Sequence, residues 1–301
     1  MGKIIIVGLG NMGFAHLNSF IQGKCKNNIY IIEKDKKRIN KVKKILIKEK
    51  IKNFWLSHKY PKNQVFDFAV ISTKSRERLK VIEKLFLKNK VKILFLEKFI
   101  FCEVKNYMKL RKLLKNKINQ IYVNVWSEIF LKLLNIKKNN KTFLINIVIP
   151  EKQILTNLIH YYEIFRILSG EKFNIKLDKL VLHKKKDLYH EGTGEIEFNK
   201  NNSKMIIKTR KMKNTFFFNY HSNSLLKKVT YKEGNIIDLL NKGKKIKFPL
   251  ASRVTYKFYK KIDNQKFYKN IIFPKYELIE KSSKNILSCM NNYYNKKIYI
   301  T

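Results

Sequence analysis

The sequence predicts an α/β chain: an N-terminal doubly wound parallel sheet followed by an α+β domain whose sheet is mainly antiparallel. Three observations support this: β-branched runs alternate with amphipathic stretches from Lys3 to Val125, a glycine-rich turn follows the first run, and the grammar changes after residue 125. At 301 residues the chain is long enough for two domains, predicted as 1–125 and 126–301, each able to bury a core.

The strands expected in the first part are Ile4–Gly8, Ile29–Glu33, Phe66–Ser72, Lys92–Glu97 and Ile121–Val125. Between them, Met12–Ile21, Lys36–Ile47, Arg76–Leu87 and Val104–Leu114 repeat Leu, Ile and Val at helical spacing. Trp55 marks a minor strand. Beyond residue 125, Thr142–Ile149 is strand-like and a helix from Leu155 to Leu168 is closed by Ser169 and Gly170. Five further strands, Leu177–His183, Gly194–Phe198, Lys204–Thr209, Thr215–Tyr220 and Leu226–Tyr231, are expected to form one antiparallel sheet, with turns at Asn201–Ser203, Lys211–Asn214 and Glu233–Asn235. Helical spacing returns over Tyr276–Met290, a segment able to pack back on the first domain.

Composition narrows the class. A 45% hydrophobic share with 13% aromatics belongs to a folded chain. Its net charge of +44 comes mostly from lysine spread along the whole length beside abundant Asn and Ile, so it points to biased composition and no specific nucleic-acid partner. Cys25, Cys102 and Cys289 are odd in number and form no CxxC pair, which fits a reducing cytoplasm and no zinc site. No run approaches the roughly 18 apolar residues of a membrane span, and Ile4–Val7 is too short for a signal peptide. The histidines show no metal-ligand spacing, and no metal is expected.

Gly8, Gly10 and Gly13 form G-x-G-x-x-G between the first strand and first helix, the context of a Rossmann dinucleotide site. In it the first glycine permits the turn, the second lets backbone approach a pyrophosphate, and the third permits close helix–strand packing, while Asn11 and Met12 open the helix. Glu33 ends the second strand twenty residues beyond Gly13, where an acid accepts hydrogen bonds from the ribose and repels a 2′-phosphate. NAD is therefore the expected cofactor; the nearby Lys34, Lys36 and Arg38 keep NADP open.

Four segments, in order and spacing, resemble the Gfo/Idh/MocA oxidoreductases: Gly8-Leu9-Gly10-Asn11-Met12-Gly13, Val70-Ile71-Ser72-Thr73, Leu96-Glu97-Lys98, and His160 to Gly170. Lys184 to Phe198, with Lys186, Tyr189, Glu191 and Gly194, looks like members from surface-glycan or nucleotide-sugar pathways, and Ile298–Thr301 resembles the family's terminal strand. The resemblance implies hydride transfer to or from a sugar, sugar acid or nucleotide sugar, in a homo-oligomer. It makes Ser72 and Thr73 part of the nicotinamide loop, Glu97 a positioning group for the nicotinamide ribose, Lys98 the proton-exchanging group and His160 a second polar group facing substrate. A lysine at a strand's C-terminal end is also where ligands of such sheets bind. Helical spacing places Thr156, His160 and Glu163 near one face. Trp126 is a candidate for stacking on a sugar ring or for packing in the core.

The sequence departs from the family pattern at Lys74 and Phe99, where prolines are usual, and at Thr156 and Leu158, where Asp and Gly are usual. The carboxylate missing at Thr156 motivates an alternative, a non-catalytic NAD(P)-binding partner or regulatory protein in glycan synthesis.

Overall fold

The computed structural model describes residues 2–118, 120–138, 142–184, 189–212, 215–232, 234–248, 251–264 and 273–300. Lys186, Asn214, Glu233 and Thr301, named above, lie outside them. Two compact units form: Met1–Asn124 with Pro249–Lys281, and Val125–Phe248 with Ser282–Thr301. The residues after Phe248 thus return to the first unit before the chain re-enters the second.

The first unit begins β1 (Lys3–Val7), α1 (Asn11–Gln22), β2 (Asn28–Ile32), α2 (Lys36–Lys48), β3 (Phe54–Ser57), β4 (Gln64–Ile71), α3 (Arg78–Lys88), β5 (Asn89–Leu96), α4 (Val104–Leu114) and β6 (Gln120–Val123). Its six strands are all parallel, in the order β3-β2-β1-β4-β5-β6. Parallel strands covered on both faces need unbroken apolar runs, and Ile4, Ile5 and Ile6 are fully buried beside Phe68, Ala69 and Val70 of β4. Asp35 sets the start of α2 by accepting from the Lys37 and Arg38 amides at 2.8 and 3.2 Å.

The second unit contains α5 (Ser127–Leu133), β7 (Phe143–Pro150), α6 (Ile154–Ser169), β8 (Asn174–Lys176), β9 (Leu180–Lys184), β10 (His190–Lys200), β11 (Ser203–Arg210), β12 (Thr215–Ser222), β13 (Leu225–Lys232), β14 (Asn235–Asp238) and β15 (Lys244–Lys247). Its sheet has the order β15-β14-β13-β12-β7-β11-β10-β8, with β9 also pairing with β10. It is mixed rather than wholly antiparallel: β7 runs parallel to β11 from Leu144↔Lys204 to Pro150↔Arg210. Along β7, Phe143, Ile145, Ile147 and Ile149 are buried while Leu144 is exposed, an alternation that leaves one face for α6 to cover. Phe165 of α6 meets Phe143 and Phe198 there at ring-centroid distances of 5.6 and 5.8 Å.

Three further differences have local causes. The strand expected over Leu177–His183 begins only at Leu180 as β9, after the separate β8, because a turn closes where the Leu180 amide donates to the Leu177 carbonyl at 2.9 Å. Helix α7 (Ala251–Asn264) of the first unit carries Thr, Tyr and Phe, residues of strand propensity, yet Val254 and Phe258, and Thr255 and Tyr259, recur four apart and are buried. Its Tyr259 and Phe258 pack on Phe68 and Phe95 of the parallel sheet. The closing segment Ile298–Ile300, expected as a strand, is buried or half-buried without being one: the His190 amide donates to the Tyr299 carbonyl at 2.7 Å, but the Tyr299 amide donates to the His190 ring Nδ1 at 3.1 Å instead of to backbone.

Helix α8 (Tyr276–Tyr293) ends in the second unit, where the Ser282 hydroxyl donates to Glu163 Oε1 at 2.5 Å. Glu163 is 2% exposed and also accepts from Arg166 at 2.9–3.1 Å. Arg166→Met would strand a buried carboxylate, so urea unfolding should show a loss of about 3–5 kcal/mol; an unchanged midpoint would mean that Glu163 is solvated in solution.

Candidate functional site

Strands β1 and β4 are neighbours, yet the chain proceeds from them toward opposite edges of the sheet, to β2 and β5. Such a switch point opens a crevice at the strands' carboxyl ends, where ligands of this architecture bind. The glycine-rich turn stands there. Gly8 has φ +90°, a left-handed conformation costly for any side chain, and its amide donates to the Ile32 carbonyl at 2.9 Å. From β4's end, the Ser72 hydroxyl donates to the Gly8 carbonyl at 2.8 Å. A Cβ on Gly13 would stand 1.8 Å from the Gly8 carbonyl oxygen, so the helix lies against the turn only because that atom is absent.

Gly10 is different. It is the N-cap of α1, in ordinary extended geometry with φ −62°, no side chain caps the helix, and a Cβ there would meet nothing within 4 Å. The first-turn amides, those of Asn11, Met12 and Gly13 among them, have no carbonyl partner within the helix, and their dipole favours an anion. Asn11 and Met12 are exposed beside this opening. Thr73, just beyond Ser72, holds a buried hydroxyl with no hydrogen-bond partner among the described residues. Open space before a helix terminus and an orphaned hydroxyl are what a bound pyrophosphate and its attached ribose would fill, so these residues fit a dinucleotide.

Glu33 is 8% exposed and accepts from the amides of Leu9 at 2.6 Å, Lys34 at 2.7 Å and Asp35 at 3.1 Å, with Arg38 at 3.7 Å. Its carboxylate therefore braces the glycine turn itself. A ribose hydroxyl would share it with the Leu9 amide.

On the other side of the switch point, Glu97 follows β5, is 4% exposed, and accepts at Oε1 from His16 Nε2 (2.6 Å) and Asn124 Nδ2 (2.7 Å). Burial alone would push its pKa up, but His16, Asn124 and the positive charge of Arg78 outweigh burial and hold it below the usual glutamate value. An ionised carboxylate only accepts, so the His16 proton lies on Nε2; Nδ1 is 2.7 Å from the Thr255 hydroxyl on α7. Lys98, next in sequence, is half-buried. Arg78, 2% exposed, clamps both loops of the crevice: its guanidinium donates to the carbonyls of Thr73 at 2.5 Å, Ile100 at 3.0 Å, and Glu97 and Phe99. A buried arginine thus ties together the loops that follow β4 and β5.

In the second unit, His160 is 1% exposed and stacks on Trp126 at 4.3 Å; the Trp126 amide is 3.4 Å from its Nδ1, and its backbone carbonyl accepts from the Ser127 hydroxyl at 2.6 Å. Trp126 is half-buried and also faces Phe130 and Phe248 edge-on, so it is part of an aromatic cluster. Thr156, His160 and Glu163, expected near one face of α6, each have partners of their own. Those of Thr156 restore a carboxylate to its side. Glu191 of β10, fully buried, accepts from the amides of Leu155 at 2.5 Å and Thr156 at 3.4 Å and from the Thr156 hydroxyl at 2.5 Å, capping α6 from another strand.

Sequence reasoning missed Arg78, Thr255 and the role of Glu191. Only for Arg78 was a local signal present: an arginine opening an otherwise apolar helix face.

Sheet order, turn and mixed second sheet together define a two-unit fold, a Rossmann-like parallel sheet followed by a unit with a mainly antiparallel mixed sheet. No protein-family model and no curated protein matches the sequence, whereas solved structures match it in fold over nearly the whole length. The super-repressor mutant of Gal80p from Saccharomyces cerevisiae is 12% identical, with a TM-score of 0.67 over 99% of this chain and 97% of that one. A dehydrogenase (MviM) from Clostridium difficile is 14% identical, with a TM-score of 0.63 over 96% and 99%. The WlbA dehydrogenase from Bordetella pertussis, solved with NADH and UDP-GlcNAcA, is 9% identical, with a TM-score of 0.61 over 95% and 94%. At these identities the likeness is one of fold.

Two outcomes follow from the geometry. Gly13→Ala should cost about 1–3 kcal/mol through overpacking, whereas Gly10→Ala, which meets no atom and changes only the N-cap residue, should cost under about 1 kcal/mol; equal effects in thermal unfolding would contradict the turn described. Because the folded pKa of Glu97 is depressed, its contribution is present above its unfolded value, near 4.5, and is lost as pH falls through the folded value. The stability gap between wild type and Glu97→Gln should therefore narrow from pH 7 to pH 3; a gap that does not change with pH would contradict the assigned ionisation.

Proposed function

We propose that the first unit binds a nicotinamide dinucleotide, NAD with NADP as the alternative, and that the chain is an oxidoreductase acting on a sugar, sugar acid or nucleotide sugar. The observation carrying this reading is the turn at the end of β1: Gly8 left-handed, Gly13 in contact with it, and Gly10 facing open space at a helix N-terminus. In this reading the amides of Asn11, Met12 and Gly13 take the pyrophosphate, Glu33 an adenosine ribose hydroxyl, and Ser72, Thr73 and Glu97 line the nicotinamide end. The bound nicotinamide supplies the hydride donor or acceptor. Lys98 takes or returns the hydroxyl proton of the substrate. His160, whose Nδ1 faces the Trp126 amide, carries its proton on Nε2 as a second donor. The nucleotide sugar in the WlbA structure and the dinucleotides in several fold neighbours support the cofactor and substrate class.

The same reading takes the protein to be cytoplasmic and homo-oligomeric. Its cysteines are free, and Leu144, Phe217 and Leu226 stand exposed on one face of the mixed sheet. No helix among the described residues is long and apolar enough to cross a membrane.

A second reading, a non-catalytic NAD(P)-binding partner or regulator in glycan synthesis, is favoured by position 156, which has no carboxylate of its own and whose hydroxyl is engaged by the α6 cap. Fluorescence titration with NADH and NADPH, followed by a sugar and nucleotide-sugar screen, separates the two. The oxidoreductase reading expects saturable binding, weakened at least about tenfold, or 1.4 kcal/mol, in Gly10→Val, and turnover lowered about 10²–10⁴-fold in Lys98→Ala. Binding without turnover would favour the second reading. Absence of binding would overturn both.

A further inference from the structure

The second unit has a concavity of about 420 Å³ between β9, the start of β10 and the closing segment, lined by Leu182, Lys184, His190, Lys296, Lys297 and Tyr299. No carboxylate lines it among the described residues. Three lysines thus border one hollow, and the charges of Lys184 and Lys296 are felt at His190, where like charges repel unless an anion joins them. The histidine is oriented. His190 is 7% exposed, its Nδ1 accepts from the Tyr299 amide at 3.1 Å, and its ring lies nearly parallel to the Tyr299 ring, 24° apart. With Nδ1 accepting, the proton of the neutral ring is on Nε2, which has no hydrogen-bond partner among the described residues. Burial, with the positive charges of Lys296 and Lys184, holds the His190 pKa below its usual value.

We propose that this hollow is a binding site for a small organic phosphate monoester. The phosphate meets Lys184, Lys296 and the His190 N–H, while its apolar or ring portion lies against Leu182 and Tyr299. Three bordering lysines carry more charge than a monocarboxylate neutralises, and a dianion with several acceptor oxygens suits lysines, which bind phosphate as point charges. The hollow is also too large for phosphate alone, and Leu182 and the aromatic rings give it apolar wall. Lys296, Lys297 and Tyr299 come from the closing segment, while Lys184 and His190 come from β9 and β10, so an occupant ties that segment to the sheet. The site lies wholly within the second unit and does not depend on the dinucleotide reading.

Calorimetric titration of the full chain with phenyl phosphate, in about 0.15 M chloride so that exposed charges are screened beyond about 8 Å, tests this. Saturable binding of phenyl phosphate is expected, with weaker binding of inorganic phosphate and none of phenol. Lys184→Gln/Lys296→Gln should weaken it at least tenfold. The control Lys80→Gln/Lys84→Gln, two exposed lysines of α3, should leave it unchanged, as should Gly10→Val. Equal losses in the two double variants would reduce the effect to overall charge, and loss in Gly10→Val would assign the anion to the glycine turn. Either result would overturn the proposal, as would non-saturating heats or inorganic phosphate binding as tightly as phenyl phosphate.

Discussion

Strand β1 ends at Val7 and α1 begins at Asn11, so the backbone must reverse from an extended ladder into a helix within three residues. The first unit depends on that constraint. Only a left-handed Gly8 makes the reversal, and the two groups that hold it come from the neighbouring strands on either side: Glu33 after β2, through the Leu9 amide, and Ser72 after β4, through the Gly8 carbonyl. Both bonds require the order β2-β1-β4, so sheet topology and turn geometry specify each other. The amides that begin α1 are thereby left pointing into a crevice built before any ligand arrives, which is the preorganisation that binding of an anion needs.

The use of charge is a second theme. Only 22 acidic residues accompany 66 basic ones, yet Glu33, Glu97, Glu163, Glu191 and Glu280 are all buried. Each joins segments distant in sequence or closes a helix end: Glu97 joins α1 and the end of β6, Glu191 caps α6, and Glu280 of α8 meets Arg111 of α4 at 2.6 Å. Removing scarce carboxylates from the surface makes the exterior more positive still. The +44 net charge reflects how few acids there are, and their burial concentrates the positive charge at the exterior.

Local signals made much of the first unit legible. The run Lys3–Val7, the three glycines and Glu33 together determine β1, α1, β2 and the place of the site, because the relevant spacings are short and the chemistry of each position is narrow. Helix α7 was illegible because strand-favouring aromatics form its buried face, and only packing against Phe95 and Phe68 decides between helix and strand. The parallel β7–β11 pair and the Glu191 cap were illegible for another reason. They join residues about 35 to 60 apart, a distance over which periodicity carries no information. Arg78 differs: an arginine opening an apolar helix face was a local signal, but its role was not legible, because its acceptors are backbone carbonyls that any sequence provides.

The central claim is that the crevice between β1 and β4 holds a dinucleotide. Amide hydrogen exchange of the full chain with and without NADH tests it most directly, since the Leu9 amide and the first turn of α1 report the turn itself. Binding there predicts slowed exchange concentrated in residues 8–13, 33–35 and 72–74, with no comparable change in β12 or β13. Protection spread evenly over the chain, or absent from residues 8–13, would contradict the account.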